Sequence, residues 1–384
     1  MRVTMLVRCL AMMRGGGETR HLAWARELTA LGVDVDVITG APIMGRPRHA
    51  VDEVRATIIR SPYMRDFVYR FQNRRGFGRL TMTALHVDEE WFCRAAWKRI
   101  AGGRAPDVVH AHALHQAARL RVGGIPVVIN LPGAPNPRYH DDLRLADAVI
   151  ADGWAAEHLP RTLGRPVERV NKGVDVERFR PDGPNHRAEL GLRDRRVVVT
   201  VARLVPLKHL SLLLDAIAIL RQRTPGVRLL IVGGGPEAGV LAQHAAALGI
   251  ADCVTFAGHV PHADAPSWFR SGDVFALSSS FDNSPNAVLE AMACALPIVT
   301  TDVGGVREFV TERVAGALVG SREPAAFAGA LERYLADPAE AKAAGARNRA
   351  RAIAEFSWRA SALRLLEVYD QVVGARRRTV RASA

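Results

Sequence analysis

The strongest constraint on this chain is a grammar repeated along its length: short, continuous apolar runs, each trailed by a helix-like amphipathic stretch. In the first half the runs are VTMLV (3–7), VDVDVIT (33–39), DVVHAH (107–112), PVVIN (126–130), DAVIAD (147–152) and PVERV (166–170). In the second they are RVVVTVAR (196–203), VRLLIVGGG (227–235), DCVTFAG (252–258), DVFALSS (273–279) and LPIVTT (296–301). A strand with one face in water alternates apolar and polar residues, so unbroken apolar strands between helices predict parallel sheets covered on both faces. The 384 residues favour two such domains over one. A polar stretch bearing proline and glycine, 178–195, separates the halves and reads as a linker ending in a short helix. The expected class is α/β, with doubly wound domains at 1–177 and 196–356 facing a cleft at the carboxyl edges of their strands, where such sheets bind ligands. A long amphipathic helix at 357–374 is free to pack on either domain, back onto the first included, and a solvated tail follows it.

Net charge is +13, with 48% hydrophobic and 24% charged residues. Such a field attracts nucleic acid, anionic lipid or phosphorylated small molecules, and it equally fits a basic background. Arg60, Arg65, Arg70, Arg74, Arg75 and Arg79 cluster with Tyr63, Phe67, Tyr69, Phe71 and Phe77, opposed only by Asp66. This stretch reads as a solvated basic face or as a contact for a membrane surface or an anionic acceptor. Cys9, Cys93, Cys253 and Cys294 are far apart, so buried reduced thiols and a cytoplasmic setting are expected. No apolar run reaches the roughly 18 residues needed to span a bilayer. Arg8 and Arg14 interrupt the apolar N-terminus, which reads as a strand and a glycine loop and not as a signal peptide.

Five places look chemical. In RGGGETRH (14–21), Gly16 and Gly17 lie between a strand and a helix, where free amides and the helix dipole favour an anion; a plain tight turn is the alternative. In TVARLVPLKHL (200–210), Arg203 ends a strand and Lys208 opens the next helix, a clamp suited to a diphosphate. IVGGGPE (231–237) repeats the strand–glycine–helix pattern, with Gly234 and Gly235 consistent with a nucleotide or with a turn. In HAHALH (110–115), His110 and His112 are read as facing opposite sides of a strand end, which argues against a shared metal. Finally, Asp282 precedes a helix expected to carry Ser284 as N-cap and Pro285 as its first residue, with the amides of Asn286, Ala287 and Val288 in the first turn. Glu290 lies one turn further, among apolar residues. An unpaired buried carboxylate costs several kcal/mol, so Glu290 is expected to meet a cation or ligand hydroxyls.

Taken in order, GGGE near the start, NKGVDVERFRP (171–181), ARLVPLK (202–208), DNSPNAVLEAMA (282–293) and TDVGGVREFV (301–310) resemble glycosyltransferase family 4. The resemblance implies a GT-B fold of two Rossmann-like domains and transfer of a sugar, with retention, from a nucleotide-diphosphate sugar. It implies that Glu290 holds ribose hydroxyls, Asp282 with Asn283 the hexose, and Arg203 with Lys208 the diphosphate. The 286–288 amides, Gly16 and Gly17 add phosphate donors. His112 contacts the transferring sugar, with His110 the second choice; Gly234, His259 and Val260 pass near the nucleotide. The family's first Glu is Asp282 here, one methylene shorter. Glu308 occupies the GGxxE position.

No protein nucleophile is expected, nor a metal or other cofactor: Asp34 and Asp36 lie inside an early strand and form no DxD metal motif. The acceptor is a glycan, lipid-linked or small-molecule hydroxyl, met in the cytoplasm or at the inner membrane face. The competing readings are a nonenzymatic binder of nucleic acid or other anions, for which no recognition signature is present, and another GT-B enzyme such as a nucleotide-sugar epimerase.

Overall fold

The computed structural model describes all residues except 14, 65–67, 69–77, 311–315, 321, 383 and 384. The chain divides into two compact units: Met1–Lys172 with Ser361–Ala384, and Gly173–Ala360.

The first unit holds a seven-stranded, wholly parallel sheet. Its strands are β1 (Arg2–Leu6), β2 (Asp34–Pro42), β3 (Ala56–Ser61), β4 (Val108–His112), β5 (Val127–Asn130), β6 (Ala148–Ala151) and β7 (Glu168–Arg169), in the order β3-β2-β1-β4-β5-β6-β7. Met5 pairs with Val37 on one side and His110 on the other, so β1 and β4 meet where the strand order reverses. The C-terminal helix, Trp358–Ala382, belongs here from Ser361 onward. Its Ser361 accepts a hydrogen bond from the buried Trp24 indole (2.7 Å), and its Arg364 pairs with Glu168.

The second unit holds a six-stranded parallel sheet of β8 (Arg196–Val201), β9 (Val227–Val232), β10 (Val254–Gly258), β11 (Val274–Leu277), β12 (Ile298–Thr301) and β13 (Gly316–Val319), in the order β10-β9-β8-β11-β12-β13. Successive strand residues fill different cores. Val198, Leu229, Ile231 and Ala276 pack with Leu213, Ile217 and Phe327. Val197, Val199, Leu230, Val232 and Leu277 pack with Phe179, Leu289 and Phe356. Both faces are therefore covered, as unbroken apolar strands require.

Three sequence expectations change. Strands β3 and β13 were not foreseen; both are half-buried edge strands. The stretch 178–195 forms turns and no helix, and it belongs to the second unit. Phe179 is fully buried there, and Arg187 bridges to Asp273 at 2.9 Å. One aromatic and one ion pair suffice to fold a polar segment onto a sheet, and neither has a periodicity to read. Of the arginine-rich stretch, residues 65–67 and 69–77 lie outside those described, as does the Arg79 side chain. Arg60 donates to the carbonyls of Pro42 and Gly45, and Tyr63 is buried.

Gly345 lies inside the helix Pro338–Phe356, where a Cβ would come 1.9 Å from the Ala295 carbonyl oxygen. A helical Gly→Ala change ordinarily stabilises by up to about 1 kcal/mol. Gly345→Ala is expected to destabilise by about 1–3 kcal/mol instead, the usual range for overpacking, read from denaturant midpoints.

Candidate functional site

In the second unit, β8 and β11 lie side by side at the reversal of strand order, so the loops leaving their carboxyl ends border one crevice. These loops carry Arg203 with Lys208, and Asp282. They are tied together by backbone: the Ser280 N–H donates to the Leu207 carbonyl (2.9 Å) and the Ser278 hydroxyl to the Lys208 carbonyl (3.1 Å). Across the crevice Lys208 Nζ lies 2.5 Å from Asp282 Oδ2, each side chain 16% exposed. Lys208 was expected to open the following helix. It closes the 3-10 turn Pro206–Lys208 instead, and His209, at φ +46°, redirects the chain into the helix Leu210–Arg223.

The glycines explain why these loops can lie where they do. Gly233 (φ +139°) and Gly235 (φ +158°) face the Arg203 loop: a Cβ on them would stand 1.8 Å from the Ala202 oxygen and 2.3 Å from that of Leu204. The Leu204 N–H donates to the Gly234 carbonyl at 2.9 Å. The absence of a Cβ at Gly233 and Gly235 lets the loop that presents Arg203 seat against them. Arg203 itself is exposed, and its guanidinium has no hydrogen bond or ion pair among the described residues. Gly234 lies against His259. His259 and Val260 line an open groove of about 890 Å³ with Arg178, Trp268 and Arg270. On the other loop, Gly304 (φ +55°) would put a Cβ 1.8 Å from the Asp282 carbonyl oxygen, which also accepts from the Gly305 N–H at 3.0 Å.

The helix after Asp282 is Asn286–Ala293, with Pro285 in the capping position and no side-chain cap. Ser284 is thus not the N-cap and Pro285 not the first helical residue, a shift of one position that the fixed φ of proline tolerates at either place. The Val288 N–H donates back to the Pro285 carbonyl (3.3 Å). Of the three amides expected to await a ligand, only those of Asn286 and Ala287 have no backbone acceptor among the described residues. Asn283 is half-buried between Asp282 and Ser284. Glu290 is 8% exposed, and its Oε1 lies 2.8 Å from Nε2 of His262. The partner demanded by a buried carboxylate is therefore an imidazole from the loop after β10. Sequence reading missed it, because 28 positions separate the pair and no spacing rule joins them. Glu308 sits in the 3-10 turn Val306–Glu308.

The first unit shows the same edge geometry. The helix Gly16–Ala30 starts after β1 and His112 ends β4. Gly17 abuts His112 so closely that a Cβ would lie 2.2 Å from its Nε2, whereas nothing comes within 4 Å of that position on Gly16. His112 Nδ1 is 3.1 Å from Asn130 Oδ1, and His21 Nδ1 is 2.8 Å from the Gly17 carbonyl. His110 is buried, with Nδ1 2.6 Å from the Tyr369 hydroxyl. The expectation that His110 and His112 face opposite sides is wrong. Residues two apart on a strand share a face, and both rings pack against His21, at 5.0 and 4.3 Å between centroids. No group of three or more His, Cys, Asp or Glu among the described residues is placed to hold a metal ion.

Burial, with the neighbouring His112 and His110 rings, holds His21 well below the usual imidazole range. Burial, with His112 and Arg20, lowers His110 to about 3. All four cysteines are buried and none is in a disulfide; burial pushes the Cys93 and Cys253 thiols up, and Cys294 to about 12.

Residues 182–351 match the family described as glycosyl transferases group 1. Over 400 aligned residues the chain is 31% identical to a D-inositol 3-phosphate glycosyltransferase of Frankia alni, covering 92% of this chain and 94% of that one. The chain belongs to the group 1 glycosyl transferases. Another relative is the GDP-mannose-dependent alpha-(1-6)-phosphatidylinositol monomannoside mannosyltransferase of Mycolicibacterium smegmatis, 37% identical over 213 residues, 53% of this chain and 56% of the relative. The chain spans about half the length of several further relatives. Among solved structures, sucrose-phosphate synthase from Thermosynechococcus elongatus matches with a TM-score of 0.75 at 21% identity, over 97% of this chain and 99% of that one. Anabaena HepE in complex with UDP matches at 0.73 and 21% identity, over 97% and 100%. At that identity the likeness is one of fold, and this glycosyltransferase has the GT-B fold of two Rossmann-like domains. An enzyme that transfers glycosyl groups displaces the nonenzymatic anion binder and the epimerase considered from sequence.

The buried imidazoles yield a pH test. A histidine whose folded pKa is depressed binds its proton more readily when unfolded, so stability falls as pH drops below about 6.5, its unfolded value, and continues to fall towards the folded value. For His110 that window runs down to about 3. Each such group is expected to remove up to about 1.4 kcal/mol per pH unit, and His110→Gln is expected to flatten the decline between pH 6.5 and 5 in denaturant titrations.

Proposed function

We propose that this glycosyltransferase is a retaining enzyme of the family 4 type. It takes a sugar from a nucleotide-diphosphate sugar and passes it to an acceptor hydroxyl without a metal. The observation that carries the reading is the convergence of Arg203, Lys208 and Asp282 at one strand-order reversal, beside Glu290 and the first-turn amides of Asn286–Ala293. An exposed guanidinium and an ammonium offer a diphosphate a planar fork and a point charge. The first-turn amides of the helix add donors of fixed direction. The two carboxylates accept hydrogen bonds from hydroxyls, Glu290 from the ribose and Asp282 from the hexose.

As the glycosidic bond breaks, negative charge grows on the diphosphate, and the two cations stabilise it more than they stabilise the intact donor. The acceptor hydroxyl attacks the same face of the sugar that the diphosphate leaves, and its proton goes to the departing phosphate oxygen. The configuration at the anomeric carbon is thereby kept without a protein nucleophile. His112, at the strand edge of the first unit, contacts the transferring sugar, and Gly16 and Gly17 add phosphate donors.

The relatives named for inositol 3-phosphate and phosphatidylinositol mannoside suggest a cyclitol-bearing or lipid-linked acceptor and GDP-mannose among the donors to try. Among the described residues no helix is long and apolar enough to cross a membrane. An acceptor in a lipid headgroup would be met peripherally at the inner membrane face.

Calorimetry with UDP, GDP and ADP identifies the nucleotide, turnover of its sugars identifies the donor, and NMR of the product's anomeric proton decides retention. Arg203→Ala and Lys208→Ala are each expected to lower kcat by about 10²–10³, the usual cost of removing one group that stabilises developing charge, with full activity in the presence of EDTA. Equal rates for wild type and the double variant, or an inverted product, would reject the mechanism.

A further inference from the structure

Glu290 has one oxygen engaged and one open. Oε1 lies 2.8 Å from His262 Nε2 and Oε2 has no hydrogen bond among the described residues. The two side chains differ in setting: Glu290 is fixed in the buried interior of its helix, and His262 is 61% exposed on the loop between β10 and the short helix Ala265–Phe269. An exposed imidazole is ordinarily free to turn. Here the chain before it is set by Gly258 (φ +73°) and Pro261, and the ring rests 5.4 Å from the ring of Phe179, which is fully buried. That geometry aims Nε2 at the carboxylate. An N–H there donates to Oε1 and fixes the tautomer, leaving Nδ1 as an acceptor.

A carboxylate on a two-bond arm has a broad terminal torsion, so something must set its plane before it can accept two hydroxyls at once. We infer that His262 is a positioning residue for the donor ribose: by donating to one oxygen of Glu290 it orients the carboxylate so that the other oxygen receives the vicinal hydroxyls of the nucleotide. This rests on the assignment of Glu290 to the ribose. The consequence is specific, because the benefit of the His262 contact exists only when a hydroxyl is present to be read. Phosphate grip, through Arg203 and Lys208, is untouched by it.

The test compares UDP, GDP and ADP with their 2′-deoxy counterparts by calorimetry on the full chain, using the nucleotide that binds. Wild type is expected to prefer the ribose form by about 10–100-fold, the equivalent of one hydrogen bond to a charged group. In His262→Ala the preference is expected to fall below threefold, with the affinity of the 2′-deoxy form unchanged. His262→Gln, whose amide also donates, is expected to restore most of it. Glu290→Gln serves as the reference for complete loss. A wild-type enzyme that binds both forms equally overturns the ribose assignment of Glu290, and this inference with it. A wild-type preference that persists in His262→Ala, or one as low in His262→Gln as in His262→Ala, overturns the inference and leaves the ribose assignment standing. Thermal melts of the exposed His262 variants are expected to match wild type, so a change in the ratio reports orientation.

Discussion

The 2.5 Å contact between Lys208 and Asp282 is the constraint around which the second unit is arranged. At an effective dielectric of 20 two unit charges 4 Å apart attract by about 4 kcal/mol, but both side chains are mostly withdrawn from water, and that desolvation offsets much of the gain. The pair is therefore a poor source of stability and a good device for fixing position. Its geometry is held from behind by backbone. Gly233 and Gly235 admit the loop that leads to Lys208, and Gly304 and Gly305 grip the Asp282 carbonyl. A side chain at Gly233, Gly235 or Gly304 would push one charge away from the other. These glycines let the two loops approach closely enough for Lys208 to meet Asp282.

The first unit uses the same fold rule with different chemistry. Its strand-order reversal also brings together a glycine-led helix start and a polar strand end, Gly17 and His112. There the supporting layer consists of buried imidazoles. His21 holds the Gly17 carbonyl, and His110 holds the Tyr369 hydroxyl of the C-terminal helix. Burial keeps His21 and His110 uncharged near neutral pH, so they are able to pack against His112 without placing a cation beside it. The first unit thus sets the uncharged imidazoles of His21 and His110 beside the buried Arg20–Asp152 pair.

Most of the architecture was legible because it depends on local pattern. Eleven apolar runs marked eleven strands, since a strand buried on both faces must be apolar throughout. The two missed strands, β3 and β13, are edges with one partner each, where that demand is relaxed. Arg203 and Lys208 were singled out in the sequence as cations after a strand, Glu290 as a carboxylate among apolar residues and Asp282 by its place before that helix, and the structure brings Lys208 and Asp282 into contact. What pairs with what was not legible. Lys208 with Asp282 is a contact across 74 positions and Glu290 with His262 one across 28, and both are set by strand order, which single-chain periodicity does not encode. The error over His110 and His112 was of another kind: the period of a strand is two, and applying it correctly would have placed both on the face that His21 covers.

The net charge of +13 draws anions to the molecule as a whole, whereas at the crevice positive and negative groups are interleaved. Arg178 and Arg270 line the groove with His259, while Arg203 and Lys208 are balanced by Asp282 and Glu290. An arriving diphosphate does not meet a strongly positive basin there. It meets an ammonium already shared with a carboxylate, one exposed guanidinium, and the amides at a helix start. Selection in such a place comes from direction more than from field strength. Asp282 is already met by Lys208 and Glu290 by His262, so on the proposed reading phosphates engage the cations while sugar hydroxyls engage the remaining carboxylate oxygens. On the proposed reading, it is the hydroxyl-accepting carboxylates that separate a nucleotide sugar from any other polyanion drawn to this crevice.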